Sequence, residues 1–188
     1  MPSDIKEAER MLDLFTSVGA RSFVVTKTDV EQKLIWGKTY SAAELRDKLP
    51  AMVRTAEIRK SHHLPDGQTV RAGENLIIRP TGPDVAFVQL DDLSTEQLAR
   101  VRPAAFLIIA TSPGNHQAWI ACGQVDKSES KDVVRRVRKA VGGGDMSASG
   151  ATRVAGTVNY KRKYEPDYPT VSILHGVPGR VMTVEQLQ

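Results

Sequence analysis

The chain has 188 residues, of which 40% are hydrophobic and 26% charged, a composition typical of a globular protein that buries a core without disulfides or a structural metal. Its single cysteine excludes a disulfide framework and a cysteine-rich zinc site, and the lack of a long apolar segment or a signal peptide predicts a cytoplasmic protein with no membrane partner. The net charge of +4 is compatible with a polyanionic partner but does not identify one.

The hydrophobic pattern predicts helices and strands in an irregular order. Capping boxes mark the starts of two helices, because Ser41 is followed by Glu44 and Ser94 by Gln97 at the spacing of that motif. Residues 62–73 show neither the helical nor the strand spacing of apolar residues and are predicted to form a loop. In chain order the predicted elements are helix Ile5–Val18, strands Arg21–Thr28 and Leu34–Trp36, a helix from Ser41, strands Glu74–Arg79 and Val85–Leu90, helix Ser94–Val101, strands Ala105–Ala110 and Gln117–Ala121, helix Ser130–Val141 and strand Thr170–Leu174.

This order predicts an α+β fold, because it lacks the regular strand–helix–strand alternation of a parallel sheet. We expect a mostly antiparallel sheet with helices packed on one face. The strands Val85–Leu90, Ala105–Ala110 and Gln117–Ala121 are expected to share it, and the helix that contains Arg135 to pack on it. One domain is expected, with an N-terminal helix over residues 1–20, a core over 21–175 and a C-terminal tail over 176–188.

Three aspartates are candidates for chemistry. Asp91 and Asp92 directly follow a buried strand, and carboxylates on such a rigid element suit a divalent cation that prefers hard oxygen ligands. The alternative is that Asp92 favours the N-terminus of the helix that begins near Ser94. Asp145 follows three glycines and, taken alone, is an ordinary turn or capping residue.

A turn that leads into a strand supplies polar and aromatic candidates. Strand alternation places Asn115, Gln117 and Trp119 on one face and His116 on the other. Amides bind phosphates or base edges, and an indole stacks on a base. The alternative is that Trp119 belongs to the core and Asn115 only to the turn.

A second basic segment combines cations, a glycine and an amide between Arg153 and Lys161, with Asn159 near its end. This combination suits binding of a triphosphate or of a strand backbone. A solvated basic surface explains the same residues equally well.

These motifs, in this order, resemble the plasmid-encoded RepB-like primases, a branch of the archaeo-eukaryotic primase superfamily. The resemblance extends from about Phe23 to about Leu174. The matching strings are Leu76-Ile77-Ile78-Arg79-Pro80, Val88-Gln89-Leu90-Asp91-Asp92-Leu93, Thr111-Ser112-Pro113-Gly114-Asn115-His116-Gln117-Ala118-Trp119 and Arg153-Val154-Ala155-Gly156-Thr157-Val158-Asn159-Tyr160-Lys161.

The resemblance implies a DNA primase whose sheet is similar to that of an RNA-recognition motif. It implies two-metal nucleotidyl transfer with Mg²⁺ or Mn²⁺, with single-stranded DNA and nucleoside triphosphates as partners and a replicon helicase or initiator as a further candidate. The residues expected to hold metal and to be catalytic are Asp91, Asp92 and Asp145. Those expected to bind nucleotide are Asn115, Gln117, Arg153, Asn159 and Lys161. Those expected to hold DNA are Trp119, Arg135, Arg136 and Lys139.

The chain also departs from the family pattern. The wider superfamily has a histidine on the second motif strand, where the residue on the matching face here is Gln117, so no role is assigned to His116. The priming enzymes of the family carry a further helical domain, so template-specific initiation is expected to need another part or another protein.

Two other functions fit parts of the sequence. A relaxase needs a His-x-His metal site and a tyrosine nucleophile. Tyr160, Tyr164 and Tyr168 supply tyrosines, but His62 and His63 are adjacent and would face opposite ways in an extended segment. A non-catalytic single-strand-binding module on the same sheet is the other alternative, and the three acids argue against it.

Overall fold

The computed structural model describes residues 4–141 and 149–187. The helices are α1 (Ile5–Ser17), α2 (Ala42–Ala56), α3 (Thr95–Val101) and α4 (Ser130–Val141), with short 3-10 turns at Arg162–Tyr164 and Glu185–Leu187. The strands are β1 (Ser22–Thr28), β2 (Leu34–Ser41), β3 (Lys60–His63), β4 (Thr69–Ala72), β5 (Asn75–Thr81), β6 (Val85–Leu90), β7 (Leu107–Ser112), β8 (Asn115–Gly123), β9 (Thr152–Arg153) and β10 (Ser172–Gly176).

The strands form two four-stranded antiparallel sheets and a separate hairpin. The first sheet has the order β2-β1-β5-β9, and the second has the order β10-β7-β8-β6. The prediction that β6, β7 and β8 share an antiparallel sheet is confirmed, and α4 packs against β6. The prediction of one sheet is wrong, because the chain leaves the first sheet after β5 and enters the second at β6.

The turn between β5 and β6 is tight enough to require glycine. A Cβ atom on Gly82 would lie 2.4 Å from the backbone oxygen of Gly19, closer than any side chain tolerates. A side chain at this position would therefore displace the turn that connects the two sheets.

The predicted loop over residues 62–73 is instead the hairpin β3–β4. Its inward side chains are few, since only Val70 and Ala72 of β4 are buried, and β3 is mostly exposed. The alternation in β4 is only four residues long, and β3 contains no apolar residue, so neither strand has the longer alternating run from which a strand is recognised. This explains why the sequence did not predict it.

The second sheet is covered on both faces, so the expectation that helices pack on one face only is wrong. Phe15 of α1 packs edge-on against Phe23, Phe87, Phe106 and Trp119 in the larger core between the two sheets. On the opposite face, α4 contributes Val133 and Val137 to a second core with residues of β6, β7 and β8. Among the described residues, no helix is long and apolar enough to cross a membrane.

Candidate active site

Asp91 and Asp92 lie where the chain leaves β6. Leu90, the last residue of the strand, pairs with Ala118 of β8, and the backbone N–H of Leu93 then donates to the His116 carbonyl oxygen at 3.3 Å. Asp92 has φ 54°, in the left-handed region, and its N–H donates to Asp91 Oδ1 at 3.0 Å. A non-glycine residue in that region costs conformational energy and is often found at functional sites.

Arg153 lies at the end of β9, close to Asp91. Its Nε donates to Asn75 Oδ1 at 3.3 Å, and its Nη2 donates to Gln32 Oε1. Burial lowers the pKa of Arg153 to about 10, while the nearby Tyr164 and Asp91 act to raise it. The guanidinium is thus held in a fixed orientation near the acid, in a partly desolvated environment where hydrogen bonds to anions are strong.

Lys161 shares this environment. Burial lowers the pKa of its ammonium group, and the neighbouring cations Arg153 and Lys163 lower it further, while Tyr164 and Asp91 oppose the shift. An anion bound between these cations would relieve their mutual repulsion. The arrangement therefore favours a ligand with several negative charges.

A buried amide that the sequence did not point to organises this basic group. Asn75 is 0% exposed. Its Oδ1 accepts from the backbone N–H of Tyr160 at 2.8 Å as well as from Arg153, and its Nδ2 donates to the Asp29 carbonyl oxygen at 2.9 Å. One side chain therefore ties the first sheet to the segment that carries Arg153 and Lys161.

Two glutamines of the second sheet hold the segment that precedes Arg153. Gln89 Oε1 accepts from the Gly150 N–H at 2.7 Å, and its Nε2 donates to the Ala151 carbonyl oxygen at 2.8 Å. Gln117 Oε1 accepts from Thr152 Oγ1 at 2.7 Å. The sequence does not indicate this role of Gln89, because a single polar residue inside an apolar strand carries no signal of its partners.

The predicted nucleotide contacts of Gln117 and Asn159 are contradicted by their burial. Gln117 is 6% exposed and lies beneath Thr152. Asn159 is 2% exposed, its Nδ2 donates to the Thr111 carbonyl oxygen at 2.8 Å, and its Oδ1 accepts from the Lys161 N–H at 3.3 Å. Both amides shape the site from within instead of facing a ligand.

Asn115 remains a candidate for ligand binding. It is half-buried at the start of β8 and pairs with Ser112 across the turn. Ser112 Oγ accepts from the hydroxyl of Tyr164 at 2.7 Å. The turn is therefore joined to the basic segment around Lys161.

The predicted stacking of Trp119 on DNA is wrong. The residue lies on the same face as Gln117, as strand alternation predicted, but that face points into the larger core. Trp119 is 0% exposed, and its ring centroid lies 5.1 Å from that of Phe15. Because α1 covers this face of the sheet, the indole stabilises the fold and cannot reach a base.

The three predicted DNA-binding cations of α4 are exposed. Arg135 Nη2 and Arg136 Nε pair with the carboxylate of Asp132 at 2.7 and 3.0 Å, and Lys139 is exposed beyond them. The helix lies against β6, since Arg138 Nε donates to the Gln89 carbonyl oxygen at 3.0 Å. Binding of DNA by these residues stays a prediction.

The predicted three-acid metal site is described only in part, because Asp145 lies outside the described residues. Within those residues no group of three or more His, Cys, Asp or Glu side chains could hold an ion. Asp91 and Asp92 still fit a hard divalent cation, because Mg²⁺ is commonly held by one or two carboxylates and the phosphates of its substrate.

Comparisons with known proteins give a consistent result. A family model described as the RepB DNA-primase N-terminal domain matches residues 27–178. A curated DNA primase from Acidithiobacillus ferrooxidans is 29% identical over 184 residues, which cover 90% of this chain and 50% of the relative. The chain thus spans about half the length of the curated relative that it matches.

Solved structures share the fold. Primase RepB′ superposes with a TM-score of 0.72 at 21% identity, over 96% of this chain and 62% of that one. The catalytic domain of primase RepB′ in complex with initiator DNA superposes with a TM-score of 0.71 at 22% identity, over 98% of this chain and 94% of that one. The AEP domain of the cyanophage S-2L primase-polymerase superposes with a TM-score of 0.59 at 14% identity, over 100% of this chain and 97% of that one. These likenesses confirm the predicted archaeo-eukaryotic primase-like fold.

Proposed function

Because the chain belongs to the family of RepB DNA-primase N-terminal domains, we propose that it is a primase catalytic domain that synthesises short primers on single-stranded DNA. Its partners are then the template strand and nucleoside triphosphates, with a replicon helicase or initiator as a further partner. Residues 1–188 would act as one catalytic domain in the cytoplasm, in plasmid or phage replication.

The observation that carries this proposal is the position of a strand-end carboxylate near two partly desolvated cations. Gln89, two residues before Asp91, is bonded to Gly150 and Ala151, just before Arg153, at 2.7 and 2.8 Å. The charge of Asp91 acts to raise the pKa of both Arg153 and Lys161. Nucleotidyl transfer needs acidic ligands for divalent ions next to cations that receive a triphosphate. Asp91 and Arg153 come from separate sheets, so the fold assembles the two kinds of group at one place.

The carboxylates of Asp91 and Asp92 fit Mg²⁺ or Mn²⁺ as oxygen donors on a rigid strand end. Asp145 is proposed as the third carboxylate. Bound divalent ions would supply activation of the attacking 3′-hydroxyl and neutralisation of the departing pyrophosphate.

The cations of the chain bind and orient the triphosphate. Arg153 donates its remaining N–H groups to phosphate oxygens from the orientation that Asn75 and Gln32 impose. Lys161 adds a second charge, and Asn115 donates its amide to the nucleotide. The exposed cations Arg135, Arg136 and Lys139 attract the DNA backbone.

Neither alternative function is favoured by the structure. Tyr160 is 3% exposed and packs edge-on against Tyr168. His62 and His63 are bonded to different partners, Ala72 O and Thr69 Oγ1, each at 3.1 Å. A relaxase site therefore does not form from these residues. In a binding module without catalysis, a carboxylate beside the two cations would weaken their attraction for phosphates.

Primer synthesis tests the proposal directly. The protein is incubated with single-stranded DNA and labelled nucleoside triphosphates, and products are separated by size. We expect products that require Mg²⁺ or Mn²⁺, disappear with a chelator and return when the metal is restored. The absence of products with both metals, and with ribo- and deoxyribonucleotides on several templates, would contradict it.

A further inference from the structure

A groove of about 720 Å³ lies between α4 and the turn that joins β5 to β6, beside the free edges of both strands. β9 pairs only with Ile77 and Ile78 of β5, so the edge beyond them, Arg79–Thr81, is not covered by it. β6 is the last strand of the second sheet. The groove thus follows the line where the two sheets meet.

The walls of the groove are strongly basic. Its cationic lining residues are Arg79, Lys127, Lys131, Arg135 and Arg138, and no aspartate or glutamate of the described residues lines it. Among the ion pairs formed within the described parts of the chain, none involves Arg79, Lys127 or Lys131. Cations on opposite walls, with no acidic side chain of the described residues among the lining, create a positive potential that favours a polyanion.

The floor of the groove is apolar and aromatic. Phe87 and Val85 of β6 and Val134 of α4 line it. The ring of Phe87 is half-buried and fixed by edge-on contacts with Phe15 and Phe106, at centroid distances of 6.0 and 6.5 Å. Basic walls and a fixed aromatic ring are the combination that binds single-stranded nucleic acid, since phosphates pair with the cations and unpaired bases stack.

The groove leads to the candidate active site. Phe87 lies in β6, and Asp91 directly follows the last residue of that strand, Leu90. Four residues of extended chain span about 13 Å. Gln89, between them, holds Gly150, which also lines the groove. A strand that lies in the groove therefore reaches the strand-end acid within a few nucleotides.

We propose that this groove binds the single-stranded DNA template, with phosphates on Arg79 and Lys131 and a base against Phe87. The proposal rests on the proposed primase function, because a primase begins without a primer and the template is then the only polynucleotide present. It adds Arg79, Lys127, Lys131 and Phe87 to the residues that contact DNA.

Fluorescence anisotropy tests the groove with a labelled oligothymidylate of about 15 nucleotides, a length that covers such a site. Dissociation constants are measured over a range of NaCl concentrations without nucleotides. The variant Arg79→Ala/Lys131→Ala removes one cation from each wall. We expect its dissociation constant to rise about tenfold at low salt, and the slope of its logarithm against log [NaCl] to fall by about 1.4, which is 0.7 for each lost phosphate contact.

The matched control is Lys6→Ala/Lys48→Ala, which removes two exposed lysines from α1 and α2, away from the groove. It should keep the affinity and the slope of the wild type. Phe87→Leu should raise the dissociation constant about fivefold with an unchanged slope, because a lost stack carries no charge. Its thermal unfolding is measured as a folding control, and the surface variant Arg79→Ala/Lys131→Ala decides the question if Phe87→Leu does not fold.

Several outcomes would overturn the groove proposal: no binding by the wild type, an unchanged slope in Arg79→Ala/Lys131→Ala, an equal loss in the control variant, or equally tight binding of a blunt duplex of the same length. Failure of the groove and failure of the primase function are distinguishable. Primer synthesis by the wild type with normal binding by the groove variant contradicts only the groove. Salt-dependent binding that the groove variant loses, without primer synthesis, contradicts only the primase function.

Discussion

The side-chain oxygen of Asn75 accepts a hydrogen bond of 3.3 Å from Nε of Arg153, so a fully buried amide orients the cation that lies near Asp91. The same oxygen accepts from the backbone N–H of Tyr160 at 2.8 Å. Orientation of Arg153 and the path of the segment that carries Lys161 therefore depend on one residue of the first sheet.

Replacement of this amide should affect both stability and nucleotide binding. Asn75→Leu leaves buried donors and an acceptor without partners, which should lower the free energy of unfolding by about 2–4 kcal/mol. It should also raise the KM for nucleoside triphosphates several-fold, because Arg153 loses its orientation. Asn75→Asp keeps the acceptor oxygens and should raise the KM less. Urea denaturation and primer-synthesis kinetics measure the two effects, and an unchanged KM in Asn75→Leu would contradict the positioning role.

Trp119 should matter for stability and not for DNA. Trp119→Leu removes much of a ring that is 0% exposed, and the resulting loss of packing should lower the free energy of unfolding by about 2–4 kcal/mol. The folded variant should bind single-stranded DNA as tightly as the wild type, in contrast to Phe87→Leu. A clear loss of DNA affinity in folded Trp119→Leu would restore the stacking role.

The lowered pKa of Lys161 predicts how stability depends on pH. Burial and the neighbouring cations lower this pKa below its ordinary value of 10.5. Between the folded pKa and 10.5 the unfolded chain binds more protons, so this residue makes the protein more stable as pH rises through that window and costs stability below it.

Lys161→Met removes the cost of burying that charge. The variant should therefore be more stable than the wild type at neutral pH, by a difference that shrinks as pH approaches 10.5. Urea denaturation of both proteins over this range provides the comparison. A variant that is less stable at neutral pH would mean that Lys161 is stabilised by a pair and not strained by burial.

The sequence pointed to those site residues whose signal is local. Asp91 and Asp92 end an apolar run, and Arg153 and Lys161 stand in a short basic segment. Asn75 and Gln32 gave no such signal, because they act through contacts with Arg153, which is 78 and 121 residues away. Such partners become visible only when the two sheets are placed together.

In the fold, too, local features could be predicted from the sequence and tertiary contacts could not. Alternation along β8 correctly put Gln117 and Trp119 on one face, but the sequence could not tell that α1 covers that face. The turn between the two sheets contains Gly82, whose close approach to Gly19 is a tertiary contact. Periodicity reports which residues share a face, and it does not report what packs against that face.

Asp91 is proposed as a metal-holding carboxylate of a nucleotidyltransferase, and its replacement by a neutral amide tests this role. Asp91→Asn keeps the shape of the side chain and removes its charge. Asp84→Asn, at the other end of the same strand, makes the same change at an exposed carboxylate as a control. Both variants should fold, which circular dichroism verifies.

The decisive measurement is incorporation of labelled nucleotides on single-stranded DNA with Mg²⁺ or Mn²⁺, beside the affinity of each variant for the same DNA. We expect Asp91→Asn to abolish incorporation, because an amide does not replace a metal-bridging carboxylate. Its DNA affinity should be unchanged or slightly higher, since a negative charge is lost, and Asp84→Asn should match the wild type in both. Incorporation by Asp91→Asn at the wild-type rate would contradict the assignment of this carboxylate.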